Sequence, residues 1–104
     1  MKKPPQAIDN ATILRVADLS GATATGATRH TVDGQVVNQF AALAITQYKS
    51  DSGVYLFYCD IDWNPVTDTY HGDIEGAIAQ AELEFGPLEF IEIVSTEDEA
   101  DTNR

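Results

Sequence analysis

VYLFYCDIDWNPVTDTYHGDIEGAIAQAELEFG, residues 54–86, decides the fold. Val54–Asp60 is apolar on both faces: Val54, Leu56 and Tyr58 point one way, Tyr55, Phe57 and Cys59 the other. A strand of that kind sits inside a sheet or has both faces covered. Asp62-Trp63-Asn64-Pro65 carries turn chemistry, and Val66–Tyr70 returns antiparallel. A helix then spans residues 73–86. Asp73 can accept from the unpaired amides of its first turn, and Glu75 complements the positive end of the dipole. Ile74, Ala77, Ile78, Ala81 and Phe85 follow the i, i+3, i+4 spacing of one buried face. Gly86 supplies a left-handed closing residue, and Pro87 forbids continuation.

Working outward, Phe40–Tyr48 is rich in alanine, but Asp51-Ser52-Gly53 turns it into the strand at Val54, so a strand is expected from Leu43 onward. Arg29–Val37 carries Asp33-Gly34 between β-prone flanks, a hairpin signal. Ser20–Thr28 has two glycines and no large apolar residue, and reads as a loop. Thr12–Leu19 alternates Ile13, Arg15 and Ala17 against Leu14, Val16 and Asp18, as a strand does. On the C-terminal side, Leu88–Val94 reads as a last, edge strand whose Glu89 and Glu92 discourage pairing with other chains. Residues 1–10 are expected to be a flexible polar segment, 11–94 a single domain, and 95–104 a flexible acidic tail. The fold class is α+β: an antiparallel sheet of about four to six strands, covered on one face by the single helix and followed by a last strand.

The chain has 104 residues, 43% of them hydrophobic, enough for one globular core. Met1-Lys2-Lys3 runs into Pro4-Pro5 rather than an apolar leader, no run is long enough to span a membrane, and the single cysteine cannot form an internal disulfide. A cytoplasmic protein is the expectation. Net charge is −11, and Ser50–Asn103 contains fourteen Asp or Glu without one Lys or Arg. Such a field repels phosphate backbones, so nucleic acid is not an expected partner; it attracts basic partners or cations.

Asp60, Asp62 and Asn64 open like a calcium loop, yet Pro65 and His71 stand where an EF-hand needs Gly and Glu. A non-EF cation site from Asp60, Asp62 and Asp68 is one reading of these residues, and a plain turn is the other. Cys59, His71 and Asp68 have the side-chain types of a thiol triad, but Cys59 lies in an apolar strand without a basic neighbour to activate it. Carboxylates around His71 could hold it protonated, and the plainer reading is a histidine that simply bridges the strand end and the helix start. His30 has no evident ligand partners. Trp63 either folds back over the core or stands as an exposed aromatic anchor ringed by acids. No phosphate-binding glycine loop, C-x-x-C pair or nucleophile elbow is present, and no cofactor is expected.

The run YLFYCDIDWN, then TDTYH and EGAIAQAELEFG, resembles a group of small bacterial proteins of unknown function, over about residues 43–86. The order strand–turn–strand–strand–helix is also similar to the HicB-type antitoxins, whose helix starts with G-D-x-x-E-x-A; Gly72-Asp73-Ile74-Glu75-Gly76-Ala77 matches that start in part. The Pro-Asp-x-Pro-Gly segment of that family is replaced here by Asp62-Trp63-Asn64-Pro65, and no DNA-binding domain is read in the residues that follow the helix. These features together predict an acidic, non-enzymatic module that binds a basic protein, antitoxin-like or immunity-like. Trp63 and Tyr70 would be its anchors, with Asp62 and Glu82 as steering charges. The competing expectations are a small enzyme or cation sensor built on Asp60, Asp62, Asp68 and His71, and a subunit that forms homodimers through a sheet edge.

Overall fold

The computed structural model describes residues 2–20, 22, 24–37 and 39–93, so the acidic tail read at 95–104 lies outside the described residues. The chain is an α+β protein. Strands β1 (Ala7–Ile8), β2 (Ala11–Asp18), β5 (Ala42–Gln47), β6 (Val54–Cys59) and β7 (Pro65–His71) lie side by side in that order, every pair antiparallel. Between β2 and β5 the chain leaves the sheet, and β3 (His30–Val32) and β4 (Gln35–Val37) form a separate hairpin. Helix α1 (Ile74–Phe85) follows β7 directly, and β8 (Ile91–Glu92) returns to pair with β2 at Arg15 and Val16. The strands thus reach six in the main sheet, within the expected range.

The double-faced reading of residues 54–59 holds. Val54, Leu56 and Tyr58 join Leu43, Ile45, Ala77, Ala81 and Phe85 beneath the helix, while Phe57 and Cys59 join Ile13, Val16, Ala44 and Trp63 on the opposite side. The alternation expected for residues 12–19 does not hold. Ile13 pairs with Thr46 but Arg15 with Ile45, so Leu14 is an extra residue in β2. One inserted residue switches every following side chain to the other face. Ile13 and Val16 therefore share a core, while Arg15 and Ala17 stand opposite Ile45 and Leu43 of the helix-side core.

Within the segment read as flexible, residues 7–10 are ordered against β2. Asp9 and Asn10 take left-handed conformations (φ 49° and 69°) and connect Ile8 to Ala11 as a two-residue hairpin turn. Both residue types tolerate that region, which is why the turn forms without glycine. The Ile13 amide also donates to the Gln6 carbonyl at 3.0 Å. The last strand is shorter than expected. Among the described residues the ladder covers Ile91–Glu92, with the Ile93 amide adding a bond to the Leu14 carbonyl at 3.0 Å, while Leu88 and Phe90 turn their side chains to the helix-side core.

Both helix ends behave as read. The Asp73 carboxylate accepts from the Gly76 amide at 2.8 Å, and Gly86 closes the helix at φ 78°. The last carbonyls find a partner that the sequence did not announce. Thr25 donates its amide to the Glu84 carbonyl and its hydroxyl to the Leu83 carbonyl, both at 2.7 Å. The excursion between β2 and β5 is thereby fastened to the C-terminal end of α1.

Candidate functional site

The β6–β7 turn is built around Asp60. Its Oδ1 accepts from the amides of Asp62 and Asn64, each at 2.9 Å, and its Oδ2 accepts from the Asn64 side chain at 3.2 Å. These hydrogen bonds, those of Asn64 first, hold the Asp60 carboxyl below the usual carboxylate range. The Trp63 amide donates to the Asp60 carbonyl at 3.1 Å, and Trp63 itself takes φ 66°. This is the three-residue hairpin loop whose last position favours glycine. A tryptophan tolerates it here because its ring is buried, 7% exposed, and its indole N–H donates to the Lys2 carbonyl at 2.8 Å. Trp63 is thus a core residue and not an exposed anchor. Ile61 takes the outward place at the tip, 59% exposed, beside Asp62, which pairs with Lys2 at 3.2 Å.

Along β7, Asp68 and Tyr70 stand opposite Phe57 and Tyr55, on the side of the sheet away from the helix. Tyr70 is 51% exposed; its ring meets Tyr55 edge-on at 4.8 Å and its hydroxyl donates to Asp51 at 2.6 Å. That bond lowers the Asp51 pKa and raises that of Tyr70. The ring lies across Gly53, where an added Cβ would meet the Tyr70 hydroxyl and come within 2.8 Å of the His71 carbonyl. Asp51, Asp68 and Tyr70 make an acidic surface around an aromatic ring, and the exposed Ile61–Asp62 tip lies at the opposite end of the hairpin. Glu82 is exposed on α1, across the sheet from this surface.

The residues of the enzyme and cation readings do not converge. His71 and Thr69 stand opposite Val54 and Leu56 on the helix side, whereas Asp68 faces the other way. Among the described residues no group of three His, Cys, Asp or Glu could hold a metal ion. Cys59 pairs with Pro65 at one end of the hairpin and His71 with Val54 at the other, so the thiol triad does not assemble. Burial, with the Asp60 charge adding to it, pushes the Cys59 thiol up to about 12. The reading in which carboxylates hold His71 protonated is also corrected. Desolvation lowers its pKa and outweighs the opposing charges of Glu84 and Asp73. Its Nε2 instead lies 2.7 Å from the Thr69 hydroxyl.

A second constellation was missed. Glu84, on α1, is 3% exposed and makes its contacts under the helix. Its Oε1 lies 2.7 Å from His30 Nε2, and its Oε2 accepts from the Tyr58 hydroxyl and, at 3.0 Å, from the Gln80 amide. Gln80 also reaches the Thr28 hydroxyl at 3.0 Å. Burial, then the bond to Glu84, raises the Tyr58 pKa. The tyrosine therefore stays a donor to Glu84. The His30 ring stacks obliquely on Tyr58 at 4.2 Å and meets Phe40 edge-on at 5.4 Å. A signal for this cluster existed: Glu84 follows Ala77 and Ala81 at i+7 and i+3, inside the apolar stripe. A carboxylate there requires partners. Which histidine supplied one was not readable from spacing.

No described helix is long and apolar enough to cross a membrane. Compared with protein-family models, with curated proteins and with solved structures, the chain gives no match.

Proposed function

We propose that this chain is a small, acidic, non-enzymatic protein-binding module, antitoxin-like or immunity-like, that docks a basic protein on the outer surface of the β6–β7 hairpin. The observation that carries the reading is Tyr70: a half-exposed ring, pinned by Asp51 and flanked by Asp68, in a half-chain without Lys or Arg before Arg104. Pre-ordered aromatics lose little entropy on binding and concentrate interface energy. Asp62, Asp68 and Asp51 supply the field that steers a basic partner, with Ile61 as a second apolar contact. Glu82 and Trp63 lie outside this surface. A second copy of the chain would set like carboxylates against one another, which favours a different protein as partner. The reading places the module in the cytoplasm, where Cys59 stays reduced.

The test is capture of the partner by the full chain at low salt, followed by binding kinetics with the purified protein. Tyr70→Ala should speed dissociation about tenfold or more, the loss expected of a hot-spot residue. Asp68→Asn should mainly slow association. Glu82→Gln, across the sheet, should change neither rate. A partner that is acidic, or kinetics indifferent to Tyr70, would remove the reading.

A further inference from the structure

The excursion between β2 and β5 holds a second recognition surface of opposite character. A cleft of about 240 Å³ lies between residues 24–29 and the β3–β4 hairpin, lined by Gly26, Thr28, Arg29, His30, Val36 and Val37. We propose that this cleft binds a small organic carboxylate, with Arg29 as ion-pair partner, the His30 ring at the floor, and the two valines against the carbon skeleton.

Arg29 is exposed and makes no ion pair among the described residues, although the protein carries seventeen carboxylate side chains. His30 is 7% exposed and fixed by Glu84 through Nε2. Its ring also lines the cleft. Behind it, Glu84 is engaged by His30, Tyr58 and Gln80, so the imidazole ring stands between the cleft and that carboxylate. A guanidinium fork matches a carboxylate in two parallel hydrogen bonds. Val36, 57% exposed, gives the wall an apolar surface that an inorganic anion would not use. At roughly 30 Å³ per water, the volume suits a ligand of about six to eight non-hydrogen atoms.

The experiment is an amide-resolved NMR titration of the full chain with butyrate and succinate, against sodium chloride at equal ionic strength and against inorganic phosphate. The expected result is saturable shifts at Gly26, Thr28, Arg29, Val36 and Val37 with one of the carboxylates. Arg29→Gln should weaken that binding about tenfold or more, the scale of a lost charged hydrogen bond, at an unchanged melting temperature. Three results would each overturn the proposal: shifts that are absent or match those of chloride, an Arg29→Gln protein that binds equally well, and phosphate binding as tight as that of the carboxylates. The last would show that the apolar wall contributes nothing.

Discussion

Trp63 holds a left-handed backbone that glycine would adopt freely, and burial of its indole offsets that cost. Trp63→Ala should therefore lower stability by about 3–5 kcal/mol, the range for large aromatic truncations in a core. Chemical denaturation measures it; a loss under 1 kcal/mol would mean that the ring contributes little to the fold. Tyr70 makes the opposite case, an exposed ring ordered by one bond to Asp51. Its folded-state pKa is raised, so its contribution to stability is complete below about pH 10, the ordinary tyrosine value. That contribution is lost as pH rises through the folded pKa. Ultraviolet titration should show two tyrosines, Tyr58 and Tyr70, ionising later than free tyrosine, and Asp51→Asn should bring one of them back toward the ordinary value. If Asp51→Asn leaves the titration unchanged, the bond does not order Tyr70.

At the scale of elements, α1 is held from below by Ala77 and Ala81, neither of them exposed, and from one end by Thr25. Ala81→Asp should unfold the protein, because a carboxylate placed there has no partner, while Glu82→Ala should be nearly neutral. Equal melting temperatures for the two variants would contradict the assigned face. Glu84→Ala should cost about 3–5 kcal/mol, as removal of one partner from a buried ionic cluster does. It should also loosen the β3–β4 hairpin, visible as faster amide exchange at His30–Val32. The helix, its caps, the hairpin turns at Asp33-Gly34, Asp51-Ser52-Gly53 and Asp62-Trp63-Asn64-Pro65, and the strand at Val54–Cys59 were legible because each rests on local chemistry: a period, a capping carboxylate, an Asp-Gly pair. The bulge at Leu14 was not, since an inserted residue leaves hydrophobic composition unchanged and shows only as register. The Asp9-Asn10 turn was hidden by its polar, proline-bearing neighbourhood. His30 and Glu84 are 54 residues apart, and only the folded excursion brings them together. On the acidic surface, Asp62 and Tyr70 were legible as exposed turn and strand residues. Trp63 was ambiguous because a turn can aim a ring inward or outward.

Across the whole molecule, charge is divided unequally. Five of the six Lys and Arg precede Ser50, and fourteen acids follow it before Arg104. The exposed Arg29 of the excursion and the acidic β6–β7 surface follow from that division, and the ligands proposed for them are of opposite sign. A field of this kind acts over about 8 Å at physiological salt. On the proposed reading it would raise the encounter rate with a basic partner, and contacts at Tyr70 would set residence time. The direct measurement is the association rate of the captured partner by stopped flow over a series of salt concentrations, with dissociation followed in parallel. Steep slowing of association as salt rises, a salt-insensitive dissociation rate, and faster dissociation only for Tyr70→Ala are the predicted results. An association rate that stays flat from low to high salt would contradict the account.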